Sequence, residues 1–146
     1  MLWPAQRPLR LLHLEDSVFD HELMLAHLAR GGVAVHSQRV DTEAEFCAAL
    51  RQDWDAIVSD YNLPGYSGLA ALDLLKASGR DLPFVLVSGE IGSDTSVEAM
   101  RNGASDYLLK SNLTRLVPAL ERAIEANETR RARNAADREL AASKQR

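Results

Sequence analysis

Three short stretches of this chain are apolar almost without a break, and each stops abruptly at a polar residue. "LRLLHL" (9–14) runs into Glu15-Asp16, "DAIVSD" (55–60) ends in Asp60 itself, and "LPFVLVSG" (82–89) ends in Ser88-Gly89. A strand with one wet face alternates apolar and polar residues. A strand without alternation is covered on both faces, and such strands belong to parallel sheets held between helices.

The intervening segments supply those helices. "FDHELMLAHLARGG" places Phe19, Leu23, Leu25 and Leu28 near helical spacing, and Gly31-Gly32 stop it. "VAVHSQRV" (33–40) alternates and reads as a half-exposed strand. "DTEAEFCAALRQ" opens on Asp41 or Thr42 as N-cap, has an acidic first turn, and puts Phe46, Ala49 and Leu50 on one face. "GLAALDLLKASG" spaces Leu69, Leu72 and Leu75 three apart and closes at Gly79. "SDTSVEAMRNG" reads as a short capped helix ending at Gly103, "SDYLLK" (105–110) as a fifth strand, and "NLTRLVPALERAIEANETRRARN" as a long closing helix. This alternation predicts an α/β fold: a doubly wound five-stranded parallel sheet of order 2-1-3-4-5 with helices on both faces. Its ligand site lies outside the strand C-termini, at the switch point between strands one and three.

Composition narrows the setting. With one cysteine, Cys47, no intramolecular disulfide can form, and Cys47 is expected to pack among apolar helix neighbours. No apolar run approaches the roughly 18 residues of a membrane span, and "MLWPAQRPLR" is too short in apolar residues for a signal peptide. A cytoplasmic protein with no membrane partner is the expectation. Residues 1–112 carry 9 Lys and Arg against 16 Asp and Glu, whereas residues 113–146 carry 8 against 5. The acidic globular part argues against a nucleic-acid partner, and the basic tail reads as a solvated helix face. Past Ile124 the closing helix has only alanines and Leu140 as apolar residues. The expected organisation is therefore an N-terminal tail (1–8), a folded domain (9–124) and a helical extension or linker (125–146). That last helix meets no glycine or proline stop and reads as running toward a further domain, with action by docking to partners as the alternative; a homodimer could also pair through it, although its heptad pattern is poor beyond Ile124.

On the predicted topology, strand one delivers Glu15-Asp16, strand three Asp60, strand four Ser88 and strand five Lys110 to one sheet edge. Carboxylates brought together at neutral pH need a compensating cation. Carboxylates with carbonyls and water form the ligand set of a hard divalent ion such as Mg²⁺, and Lys110 adds a second, movable positive charge. A metal, an ammonium and a carboxylate nucleophile are the electrostatic parts of phosphoryl transfer.

"LRLLHLEDS", "AIVSDYNLPGYSG", "FVLVSG" and "GASDYLLKSNL" together resemble the receiver (CheY-like, flavodoxin-like in topology) domain of two-component response regulators, over roughly residues 9–124. The resemblance implies that Asp60 is the phosphoacceptor, taking a phosphoryl group from a phosphohistidine of a histidine kinase or histidine phosphotransfer protein. It implies that Glu15, Asp16, Asp60 and the backbone carbonyl of Asn62 hold Mg²⁺, and that Ser88 and Lys110 bind the phosphoryl oxygens. Tyr107 matches the switch aromatic, and Pro64 and Gly68 match the loop-shaping positions after the acceptor. "SGEIG" and "SNL" are similar to the variant often linked to sensor histidine kinases. Such a domain is not an enzyme toward external metabolites; it only catalyses its own phosphorylation and dephosphorylation. One departure stands out. The family commonly has a cis proline after the lysine, and here Ser111 occupies that place. A cis bond before a non-proline residue costs about 2.5–4 kcal/mol, so a trans Lys110–Ser111 bond is expected.

Other readings use the same residues less well. A Mg²⁺-dependent phosphohydrolase with an aspartyl-phosphate intermediate remains the alternative, although the haloacid-dehalogenase class has an aspartate where Asn62 stands. A pure binding module would be expected to have lost Asp60 or Lys110. An FMN carrier of this topology fails on charge, because "LEDS" repels a phosphate. Among the histidines, His21 and His27 do not share a helix face, and His13 is expected as a hydrogen-bonded core residue.

Overall fold

The computed structural model describes residues 7–63, 65–89 and 93–144, without the side chains of residues 93–95 and 143–144. Five strands form the main sheet: β1 (Leu9–Leu14), β2 (Val35–Val40), β3 (Ala56–Asp60), β4 (Phe84–Ser88) and β5 (Asp106–Leu109). Their order is β2-β1-β3-β4-β5, and all pairs are parallel, as the strand–helix alternation requires.

The helices are α1 (Val18–Arg30), α2 (Glu43–Ala49), α3 (Gly68–Ala77), α4 (Ser93–Arg101) and α5 (Leu116–Lys144). Three of them start where a hydroxyl can accept a free backbone N–H: Ser17 from Asp20, Thr42 from Glu45 and Ser67 from Ala70. At α2 the cap is Thr42, and Glu45 Oε1 accepts from the Asp41 N–H at 3.2 Å.

Successive residues of the central strands feed opposite cores. Leu12, Leu14, Ile57, Phe84 and Leu86 pack with Phe46, Leu72 and Leu75 on the α2–α4 face. Leu11, Val58, Val85 and Val87 pack with Leu28, Leu116 and Leu120 on the α1–α5 face. Two covered faces leave no wet alternation, which is why these strands read as unbroken apolar runs.

Three details differ from the expectation. The stripe assigned to α1 is rotated: Leu28 is buried as expected, but Met24 is buried with it, whereas Phe19 and Leu23 are exposed. Cys47 is exposed on α2, where Phe46 and Ala49 take the buried positions. The closing helix begins with a 3-10 turn (Lys110–Arg115), and Asn112 breaks the helical backbone there at φ −135°, ψ 58°. The Lys110–Ser111 bond is trans, as expected.

Candidate phosphoacceptor site

The register of the sheet brings the chemistry together. Leu14 pairs with Ser59, Asp60 with Val87, and Ser88 with Leu109, so Glu15, Asp60, Ser88 and Lys110 stand side by side at the C-terminal edge. Burial is severe for polar groups: Glu15 is 2 % exposed, Asp60 7 % and Ser88 3 %.

The Lys110 ammonium sits among the acids. Its Nζ is 2.9 Å from Glu15 Oε1, 3.0 Å from Asp60 Oδ2 and 2.9 Å from Asp20 Oδ2. Burial alone would lower the Lys110 pKa, but hydrogen bonds to Asp20, Glu15 and Asp60 outweigh it and raise it above the ordinary lysine value. Burial, helped by the charge of Asp60, pushes the Glu15 carboxyl up to about 7 against the opposing pull of Lys110. Glu15 also accepts from the Ser17 N–H at 3.2 Å, and its carbonyl accepts from Arg39 Nη1 at 3.0 Å.

Asp16, exposed beside Glu15, completes an acidic group. One carboxylate oxygen each from Glu15, Asp16 and Asp60 lies within 4.8 Å of the others. An all-oxygen set of this size suits a small hard divalent cation and not a soft metal.

Asp60 is held by its backbone. Its carbonyl accepts the buried Ser59 hydroxyl at 2.9 Å, and the next N–H, of Tyr61, donates to the Val87 carbonyl at 2.9 Å. Asn62 stands two residues on, exposed, in a two-residue antiparallel pairing of Asn62–Leu63 with Tyr66–Ser67 that the sequence reading did not anticipate. Pro64, assigned to shaping this loop, lies outside the described residues. Gly68 has a steric reason to be glycine. A Cβ there would come within 2.5 Å of the Asp60 carbonyl oxygen and 2.4 Å of Leu86 Cδ2. Tyr107 sits on β5 with its ring half-buried against the α2–α4 core.

One residue of the site and one beside it were missed. Asp20 lies in the first turn of α1, where an acid ordinarily reads as a helix-dipole complement, so nothing in its spacing distinguished it. His21 shares no helix face with His27, but its Nδ1 lies 2.8 Å from Nδ1 of His13 on β1. Burial, then the charges of His21, Lys110 and Arg39, lowers the pKa of His13 to about 3, so it is the hydrogen-bonded neutral core residue expected.

The sequence profile described as "Response regulator receiver domain" matches residues 12–121. The chain belongs to that family. Among relatives, it is 36% identical over 104 residues to the response regulator protein FleR of Pseudomonas aeruginosa, covering 69% of this chain and 21% of that one. It is 33% identical over 107 residues to the transcriptional regulatory protein FixJ of Azorhizobium caulinodans, covering 73% of this chain and 49% of that one. The receiver thus spans between a fifth and a half of these relatives. The fold agrees with the signal receiver domain of a LuxO repressor protein from Vibrio parahaemolyticus, at TM-score 0.76 and 20% identity, over 86% of this chain and 97% of that one. Nothing in these matches favours the phosphohydrolase reading. Among the described residues, no helix of the receiver is long and apolar enough to cross a membrane.

Proposed function

We propose that Asp60 is the phosphoacceptor of this receiver, and that the partner is a phosphohistidine of a histidine kinase or histidine phosphotransfer protein. The observation that carries the reading is the placement of Asp60: a buried strand-end carboxylate bonded to Lys110 and flanked by Glu15 and Asp16. Asp60 attacks phosphorus through a carboxylate oxygen. The P–N bond to the donor imidazole breaks, the nitrogen leaves with the electron pair, and an acyl phosphate remains.

Glu15, Asp16, Asp60 and the Asn62 carbonyl would hold Mg²⁺, which when bound supplies positive charge to the phosphoryl oxygens. Lys110 lies 3.0 Å from Asp60 Oδ2, close enough to pair with a phosphoryl oxygen on that carboxylate. Ser88, one strand over and one residue past the Val87 that pairs with Asp60, takes another phosphoryl oxygen. Tyr107, on the neighbouring strand, moves with Ser88 and carries the change to the α4–β5 surface. Gly68 keeps the backbone of α3 tight against the Asp60 carbonyl, so the acceptor cannot drift. The domain is its own catalyst for phosphorylation and slow hydrolysis and turns over no external metabolite.

The receiver proper is read as residues 9–124 and residues 125–146 as an extension, helical as far as Lys144. Asn127 still packs on the body, and the support for an extension is that residues 128–142 are all exposed. Phosphorylation signals to a docked partner, a second copy or a domain attached through that helix. The acidic body still argues against direct nucleic-acid contact by the receiver, and the protein is expected to work in the cytoplasm.

Incubation with Mg²⁺ and acetyl phosphate, followed by intact mass, tests the assignment. The wild-type protein should gain one phosphoryl group and Asp60→Asn none. Equal gain by both proteins would overturn it.

A further inference from the structure

Lys110 has one ammonium and three carboxylate partners, each at about hydrogen-bond length: 2.9 Å to Glu15, 2.9 Å to Asp20 and 3.0 Å to Asp60. An ammonium has three N–H donors, so each has an acceptor. Two of these acceptors belong to the acidic group suited to a divalent ion. The third does not: Asp20 is on α1 and lies outside the group of Glu15, Asp16 and Asp60. A divalent cation and Lys110 therefore draw on the same two carboxylates, and only Asp20 serves the ammonium alone.

We propose that Asp20 is a positioning residue that draws Lys110 to the α1 side when Glu15 and Asp60 turn to Mg²⁺, letting metal and ammonium occupy the site together. The inference rests on the metal reading above. Without Asp20, the ammonium has only Glu15 and Asp60 to pair with and competes directly with the ion. There is room for the shift. A cavity of about 30 Å³, lined in part by Glu15, Asp20, Met24, Lys110 and Leu113, opens beside the ammonium on the α1 side, enough for about one water molecule.

The ordinary role of an acid in this position is to complement the helix dipole, and the Asp20 N–H does donate to the Ser17 cap at 3.2 Å. That role needs no contact with a lysine ninety residues away. A carboxylate serving only the dipole can face water, whereas this one is 34% exposed and bonded across to Lys110.

Calorimetric Mg²⁺ titration of wild type, Asp20→Asn, Lys110→Met and the double variant tests the proposal. Asp20→Asn should weaken Mg²⁺ binding about fivefold, and Lys110→Met should tighten it by a similar factor, the scale of one screened charge contact. In the Lys110→Met background the loss caused by Asp20→Asn should shrink below about twofold, since its effect runs through the ammonium. An equal loss in both backgrounds would mean a direct field and overturn the proposal. So would unchanged affinity in Asp20→Asn, including the case where only its melting temperature in EDTA falls, the signature of a helix-end role. If the wild type takes up no Mg²⁺ at all, the metal reading fails first and this inference fails with it. Additive effects in a protein that does bind Mg²⁺ overturn this inference alone.

Discussion

The two edges of one sheet treat the same kind of residue in opposite ways. At the N-terminal edge, carboxylates meet guanidinium groups. Arg7 binds Asp55 through both nitrogens at 2.7 and 2.9 Å, and the Arg10 N–H and side chain add contacts at 2.8 and 3.3 Å. Arg130 of α5 grips Asp81 at 2.9 Å through Nε, with Asn127 donating to the Asp81 carbonyl at 3.0 Å. At the C-terminal edge, Glu15, Asp60 and Asp20 share the single ammonium of Lys110, and Asp16 adds a further charge. The titration follows the pairing. Burial alone would raise Asp55, but Arg7 and Arg10 hold it down at about 2, while burial and Asp60 push Glu15 up to about 7. One edge contributes stability, and the other keeps an excess of negative charge that only an added cation relieves.

The tightest contact at the C-terminal edge is steric. Gly68→Ala at the C-terminal edge drives a methyl group into the Asp60 carbonyl and Leu86. Backbone cannot yield as a side-chain tip can, so the expected loss is about 3 kcal/mol in urea denaturation. A loss below about 1 kcal/mol would show that the end of β3 at Asp60 has slack.

A smaller effect comes from the paired edge. Asp55→Asn should cost about 1–2 kcal/mol at pH 7, after discounting the partly exposed Arg7 partner for screening. The pH dependence has a definite sign. A carboxyl held below its unfolded value contributes fully above about pH 4, and the contribution is lost as pH falls toward about 2. Stability curves of wild type and variant should therefore converge on acidification through that window. Curves that stay parallel from pH 5 to pH 2 would remove Asp55 as the cause.

The smallest effect has the opposite sign. Asp60→Asn takes a charge from the crowded edge and should raise stability without divalent metal by about 1 kcal/mol, because Lys110 keeps Glu15 and Asp20. Thermal melts in EDTA measure it. A destabilised Asp60→Asn would mean that the Lys110 contact outweighs the repulsion, and the contrast between the edges would be weaker than the pairing suggests.

Much of this site could be read before any coordinates. Unbroken apolar runs imply strands covered on both faces, and those imply a parallel sheet. In a parallel sheet all C-termini share one edge, so Glu15, Asp16, Asp60, Ser88 and Lys110 had to be neighbours. Helix residues were less legible. Phe19, Leu23, Leu25 and Leu28 looked like a buried stripe, yet only Leu28 of these is fully buried and Met24 joins it, because the rotation of a helix about its axis is set by what it packs against. By that same rotation Asp20 reached Lys110 and His21 reached His13, while Cys47 on α2 is exposed.

The architecture, the candidate edge and the residues at the strand ends are thus encoded locally in the chain, since they follow from a period of two and from chain direction. Tertiary structure alone decided which helix residues reach that edge, where the one ammonium sits among its acids, and why residue 68 can carry no side chain. Those depend on distances between segments far apart in the chain, which no local pattern encodes.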